Sequence, residues 1–310
     1  MYIRTQPYND SNHGSDGQNI QSDRAMIKLV HGWFTMFVLI FAGLLIILFQ
    51  PPAQVQAQIS LAPTILFFHD DDPATRLTVR NTSSTPQEVE IDARFGYPAS
   101  DEEGNLSLMY DDEAFEARHG LSEHLRFFPR RFVLAPGDFQ RVRLMVQNMD
   151  NRPEGLYWTR LQITSSEVTP DLGEPEEEGV GTRINYRIRQ NIGVFFHQGH
   201  VAAALSLNEL QTRVEGDELL LDMRMESGGN SPFLGTLRAR LTDGSGSLAT
   251  EGEWLFSVFG SRYWPHRMDV NGLAPGRYRL DLEMVPERSD VNRGDIPEAE
   301  PLRESLFIEI

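Results

Sequence analysis

Two histidine-bearing clusters are the first places where this 310-residue chain could do chemistry. His69-Asp70-Asp71-Asp72 puts an imidazole and three carboxylates in four positions, an oxygen-rich set of the kind a hard cation takes. Asp-rich turns before a proline, here Pro73, are also ordinary strand connections, and metal ligands must converge from more than one turn. His197 and His200 would need further His, Cys or carboxylate ligands at zinc spacing; none is visible, so both read as polar groups at a hinge. The acids of 174–178 have the composition of a solvated loop. Gly244-Ser245-Gly246 is a hairpin turn without the strand–turn–helix setting of a nucleophile elbow. No His-Glu-x-x-His, phosphate loop or Ser/His/Asp arrangement is recognisable. The expectation is a chain that is not an enzyme, with no cofactor and no metal. Trp254, Phe256, Phe259, Tyr263 and Trp264 would suit a ligand platform, but aromatics in sandwich strands more often fill the core.

Net charge is −17. Residues 1–57 carry Arg4, Arg24 and Lys28 against Asp10, Asp16 and Asp23, so the whole excess lies beyond residue 57. A nucleic-acid partner, which wants clustered positive charge, is not expected. Lys28 is the only lysine and cysteine is absent, so nothing here can be stapled by disulfides. Residues 33–49 are apolar apart from Thr35 and Gly43, and Val55-Gln56-Ala57 offers a small-x-small cleavage pattern before Gln58. Segment 1–57 therefore reads as a polar leader plus a signal peptide, or as an N-terminal anchor, with Met26 an alternative start. The expected location is the periplasm, either released or held at the inner membrane facing it. Membrane contact is expected only through that segment, if uncleaved.

Beyond residue 57 the chain shows short alternating runs bounded by turns, the pattern of β-sandwiches. Strands are predicted at 59–68, 75–80, 88–95, 131–134, 139–146, 156–164 and 183–196, with an acidic stretch at 101–125 in which 112–125 suits a short helix. A second series follows at 203–207, 218–226, 235–242, 253–258, 263–270, 277–285 and 302–310. The fold class is all-β, with two immunoglobulin-like sandwiches at 58–198 and 199–310, set at an angle so that a cleft forms between them. Gly155-Leu156-Tyr157 and Gly276-Arg277-Tyr278 each put a Gly-x-Tyr at a strand start, as a tyrosine corner would.

The run 183–196 is the element these pieces must position. Its even residues are Ile184, Tyr186, Ile188, Gln190, Ile192, Val194 and Phe196; its odd residues include Arg183, Arg187 and Arg189. Alternation along a strand gives one apolar and one basic-polar face. A run this long exceeds the usual five or six residues, and a long amphipathic edge invites pairing with another chain. It makes sense as a strand lent to a partner.

Four pieces of this half, in order, resemble the PapD-like periplasmic chaperones of pilus and fimbrial assembly. They are Ile59-Ser60-Leu61-Ala62-Pro63-Thr64, then Leu77-Thr78-Val79-Arg80-Asn81, then Phe128-Pro129-Arg130-Arg131-Phe132-Val133-Leu134 with Gln140-Arg141-Val142-Arg143-Leu144, and finally Pro153-Glu154-Gly155-Leu156-Tyr157-Trp158. The resemblance implies that 183–196 is the family's donor strand, with Ile184, Tyr186, Ile188, Ile192, Val194 and Phe196 facing the client, and that Ile59, Leu61 and Thr64 form a first-strand edge. Two positions depart from the family: its basic cleft pair, which holds the client's C-terminal carboxylate, falls here on Ile65 and Gly193. Arg187 and Arg189 are the candidate substitutes, since a guanidinium binds carboxylate bidentately.

The function expected from this resemblance is a chaperone that caps pilin-like or other secreted β-rich subunits by donor-strand complementation, with an outer-membrane usher as a further partner. The alternative is a structural surface or adhesin protein built of the same modules and lending no strand.

Overall fold

The computed structural model describes residues 58–168 and 186–310. The segment 1–57, and with it the leader, signal and anchor readings, lies outside the described residues, as does Ile184. Residues 56–310 group as one compact unit.

The first sandwich pairs a four-stranded sheet, in the order β1 (Ile59–Ala62), β3 (Ala74–Asn81), β9 (Phe139–Val146), β7 (Leu125–Phe128), with a five-stranded sheet, in the order β2 (Ile65–His69), β11 (Arg187–Gln198), β10 (Gly155–Glu167), β4 (Gln87–Arg94), β8 (Arg131–Leu134). Both sheets bury alternate residues in one core that includes Phe68, Leu77, Ile91, Leu144, Leu161 and Val194. The run 59–68, expected as one strand, is two strands in different sheets. Pro63 explains the break: without an N–H it cannot continue a ladder, and the chain crosses from an antiparallel pairing with β3 to a parallel pairing with β11.

Inside the acidic stretch the structure places a hairpin, β5 (Tyr97–Ser100) with β6 (Leu106–Met109), and a helix α1 (Glu113–His119) whose N-cap Asp112 accepts from Phe115 N. Leu125–Phe128, which escaped the strand prediction, is β7.

The second sandwich joins a three-stranded sheet, β12 (Ala203–Glu215), β13 (Glu218–Gly229), β16 (Ser261–Asp269), to a four-stranded one, in the order β15 (Leu248–Val258), β14 (Phe233–Thr242), β17 (Arg277–Val285), β18 (Leu302–Glu309). Phe256 belongs to its core, with Trp254 and Trp264 packed against it. Both tyrosine corners are present: Tyr157 OH donates to Pro153 O (2.7 Å) and Tyr278 OH to Ala274 O (2.8 Å).

A third apolar cluster joins the two. Phe95, Tyr97, Leu156, Trp158 and Phe195 of the first sandwich pack with Val201, Leu234 and Phe259 of the second. Asn230 stitches the same junction by donating to Glu154 O (3.1 Å) and His200 O (2.9 Å).

Candidate functional site

β11 is paired unevenly. Along its whole length it bonds to β10, from Arg187 opposite Ser166 to Gln198 opposite Gly155. On its other side β2 covers only Gly193–His197. Residues 187–192 therefore present an edge that no described strand pairs.

The apolar face of the same strand also divides in two. Ile192, Val194 and Phe196, expected to face a client, are at most 4 % exposed and sit in the sandwich's own core. β10 flanks all three, β2 flanks Val194 and Phe196, and the opposite sheet closes over them. Beyond Ile192 the interior rows mix polar with apolar residues, Ile163 and Val89 staying in the core beside buried Ser165. Gln190 donates to Ile59 O (3.0 Å). Ile188 stands opposite Ser165, which is fully buried, as is neighbouring Gln87. Ile188 is half-buried and belongs to none of the apolar clusters, while Tyr186 is 63 % exposed. Of the first-strand residues, Ile59 is in the core, Leu61 packs against it, and Thr64 is exposed at the crossover from β1 to β2.

Arg187 and Arg189 are exposed on the opposite face of the strand, across from Ser166 and Thr164. They are six and four residues from Gly193, or about 20 and 13 Å along a strand. The cation nearest Gly193 comes from the neighbouring strand. Arg160 lies directly opposite on β10, and its Nη1 would be 3.0 Å from a Cβ at that glycine. The guanidinium fills the space a side chain at 193 would take. Its Nε–H bonds to Gly96 O (3.2 Å), no carboxylate pairs with it among the described residues, and burial holds its pKa below the ordinary arginine value. Tyr110 closes the group by donating to Asn191 Oδ1 (3.3 Å), while Gln162 donates to the Tyr110 hydroxyl (3.3 Å). Sequence reading missed Arg160 because the signal is a cross-strand register, which spacing along one strand does not show.

The histidine clusters meet at the junction. His69 stacks on His197 with ring centroids 4.6 Å apart. His69 Nε2 is 2.8 Å from Asp295 Oδ1 and His197 Nε2 is 3.1 Å from Asp295 O, while Asp70 accepts from Gly199 N (2.8 Å). Burial first, then His69, lowers the His197 pKa. Among the described residues no group of three or more metal-ligating side chains converges.

No protein-family model matches the chain, and no curated protein matches its sequence. It is similar in fold to solved structures at low identity. The complex of the Salmonella enterica SafA pilin with the SafB chaperone matches at 14 % identity and TM-score 0.38, over 82 % of this chain and 99 % of that one. The E. coli chaperone DraB matches at 15 % and 0.37, over 80 % and 98 %. The CsuC–CsuE chaperone–tip adhesion subunit complex of Acinetobacter baumannii matches at 12 % and 0.39, over 80 % and 98 %. Each of the three is a chaperone or a chaperone with its subunit.

Proposed function

We propose that this chain is a non-enzymatic, PapD-like chaperone of the periplasm that lends the open edge of β11 to a pilin-like, β-rich subunit. The observation that carries the reading is the mismatch at the start of β11. The backbone edge at 187–192 is unpaired among the described residues, Ile188 is only half-buried and Tyr186 is exposed, so neither side chain is taken up by the sandwich's own apolar clusters. A strand-deficient subunit would supply both a ladder partner and an apolar groove. In this reading the donated side chains are Tyr186 and Ile188, with Ile184 continuing the series, whereas Ile192, Val194 and Phe196 anchor the strand at home. Arg160, in place of Arg187 or Arg189, is the cation that would receive a client carboxylate.

The test is a pair of substitutions measured with and without a client subunit. Ile188→Asp puts a charge into the groove; the chain should melt cooperatively near the parental Tm yet fail to keep the subunit soluble. Ile192→Asp should lose the cooperative melt by itself, because it buries a charge in the chaperone's core. An Ile188→Asp protein that protects its subunit normally would exclude donation through this face.

A further inference from the structure

The outer face of the β1-β3-β9-β7 sheet has a composition unlike the rest of the molecule. Its four strands carry five arginines and no acid: Arg76 and Arg80 on β3, Arg126 on β7, Arg141 and Arg143 on β9. All five are exposed, and none makes an ion pair among the described residues, in a chain of net charge −17. Register places Arg76 directly opposite Arg143, a like-charge pairing that costs stability. Elsewhere the chain pairs its arginines routinely, as Arg131 with Glu90 and Arg240 with Glu251. A shallow recess of about 370 Å³, lined by Ala74, Thr75, Arg76 and Arg143, opens between the two opposed side chains. Beside it, opposite Arg143, stands Phe128, 78 % exposed. Phe139, 46 % exposed, lies at the other end under the guanidinium groups of Arg80 and Arg141, 5.3 Å from each.

We propose that this face docks on an anionic phospholipid bilayer. Two opposed guanidinium groups suit a phosphodiester headgroup, and an aromatic ring next to them suits the apolar layer just beneath the phosphates. A bilayer offers both chemistries in one plane, which a flat sheet face can meet. The recess recorded on this face is small and open, too slight to seat a polypeptide segment. Where the N-terminal segment is retained as an anchor it holds this sheet near a membrane: β1 is the sheet's edge strand, and nine residues separate Ile59 from the apolar run ending at Phe49, a reach of about 30 Å. The acidic remainder of the molecule does not oppose docking, because salt screens exposed charges beyond about 10 Å.

Because cysteine is absent, Thr78→Cys in the centre of the face can carry a single environment-sensitive dye in the full-length chain. The dye should shift to the blue with vesicles of phosphatidylglycerol in phosphatidylcholine, and not with phosphatidylcholine alone. Each arginine charge near an anionic surface is worth about fivefold in partitioning, so Arg76→Glu, a change of two charges, should weaken the response about 25-fold. That substitution sets a carboxylate opposite Arg143 and turns a repulsive cross-strand pair into an attractive one, so loss of fold does not confuse the result. Any binding by the N-terminal segment is common to both proteins and leaves a dye at residue 78 unmoved. No response to anionic vesicles overturns the proposal, and so does an equal response in Arg76→Glu. A response to polyglutamate without one to vesicles would overturn it too, and would show that the occupant is an acidic polypeptide instead.

Discussion

Arg160 and Gly193 face each other across β10 and β11, and each accounts for the other. The glycine leaves open the volume that the guanidinium crosses, and a Cβ there would also come within 2.8 Å of the Phe195 ring. A partly buried charge without a counter-charge lowers stability unless a ligand supplies one. Replacing it with an apolar chain of similar length should therefore leave the fold intact while removing the anchor. In Arg160→Met we expect an unchanged or raised Tm and client binding weaker by about 1.5–3 kcal/mol, the range for a hydrogen bond to a charged group. Titration calorimetry against the subunit measures the loss, and a subunit with an amidated C-terminus should bind parent and variant alike. Arg187→Ala and Arg189→Ala should bind normally. Equal binding by Arg160→Met and the parent, with the free carboxylate present, would mean that strand pairing alone holds the complex.

At the scale of elements, sequence periodicity found what alternation can show. Runs such as 139–146 and 277–285 were legible because every second residue enters a core, and the Gly-x-Tyr echo correctly marked two corners. What escaped was set by contacts distant in sequence. The β5–β6 hairpin has few buried residues of its own and is held by the second sandwich, where Tyr263 N donates to the Ser100 hydroxyl (2.8 Å). The partition of the 183–196 face was equally hidden, because nothing in the strand reveals that β2 stops at Gly193. The strand was thus legible as a segment, but the division between its buried and its exposed residues was not. The corners give a measurement at this scale. Tyr157→Phe and Tyr278→Phe each remove one phenol-to-carbonyl bond while keeping the buried ring, and each should cost about 0.5–1.5 kcal/mol in denaturant unfolding. The two sit in separate cores, so their effects should add. A neutral pair of substitutions would show that the corners follow from the turns and do not hold them.

Across the whole molecule, the junction ties stability to pH. His197 lies there against His69 and the Asp295 carbonyl. His119 stacks on Trp158 (4.8 Å) and has Arg118 and Arg152 for neighbours, while His266 sits between Trp254 and Trp264 beside Arg262. In all three, burial is the leading cause of a pKa below the ordinary histidine value of 6.5. The unfolded chain therefore binds protons that the folded chain resists, so the stability these groups contribute is full above pH 6.5 and is lost as pH falls below it. Asp112 and Asp290, whose carboxyls are held below their ordinary range by Tyr97 and Arg288, lose their contribution only in more acid solution. Melts between about pH 7.5 and 5.0 thus read chiefly the histidines, with Glu116, whose pKa burial raises, acting in the opposite sense towards the acid end. The parent Tm should fall across that interval, and His197→Gln, which keeps a polar group near Asp295 but cannot be charged, should fall less. If His197→Gln loses as much Tm as the parent over this interval, the junction does not sense pH through that residue.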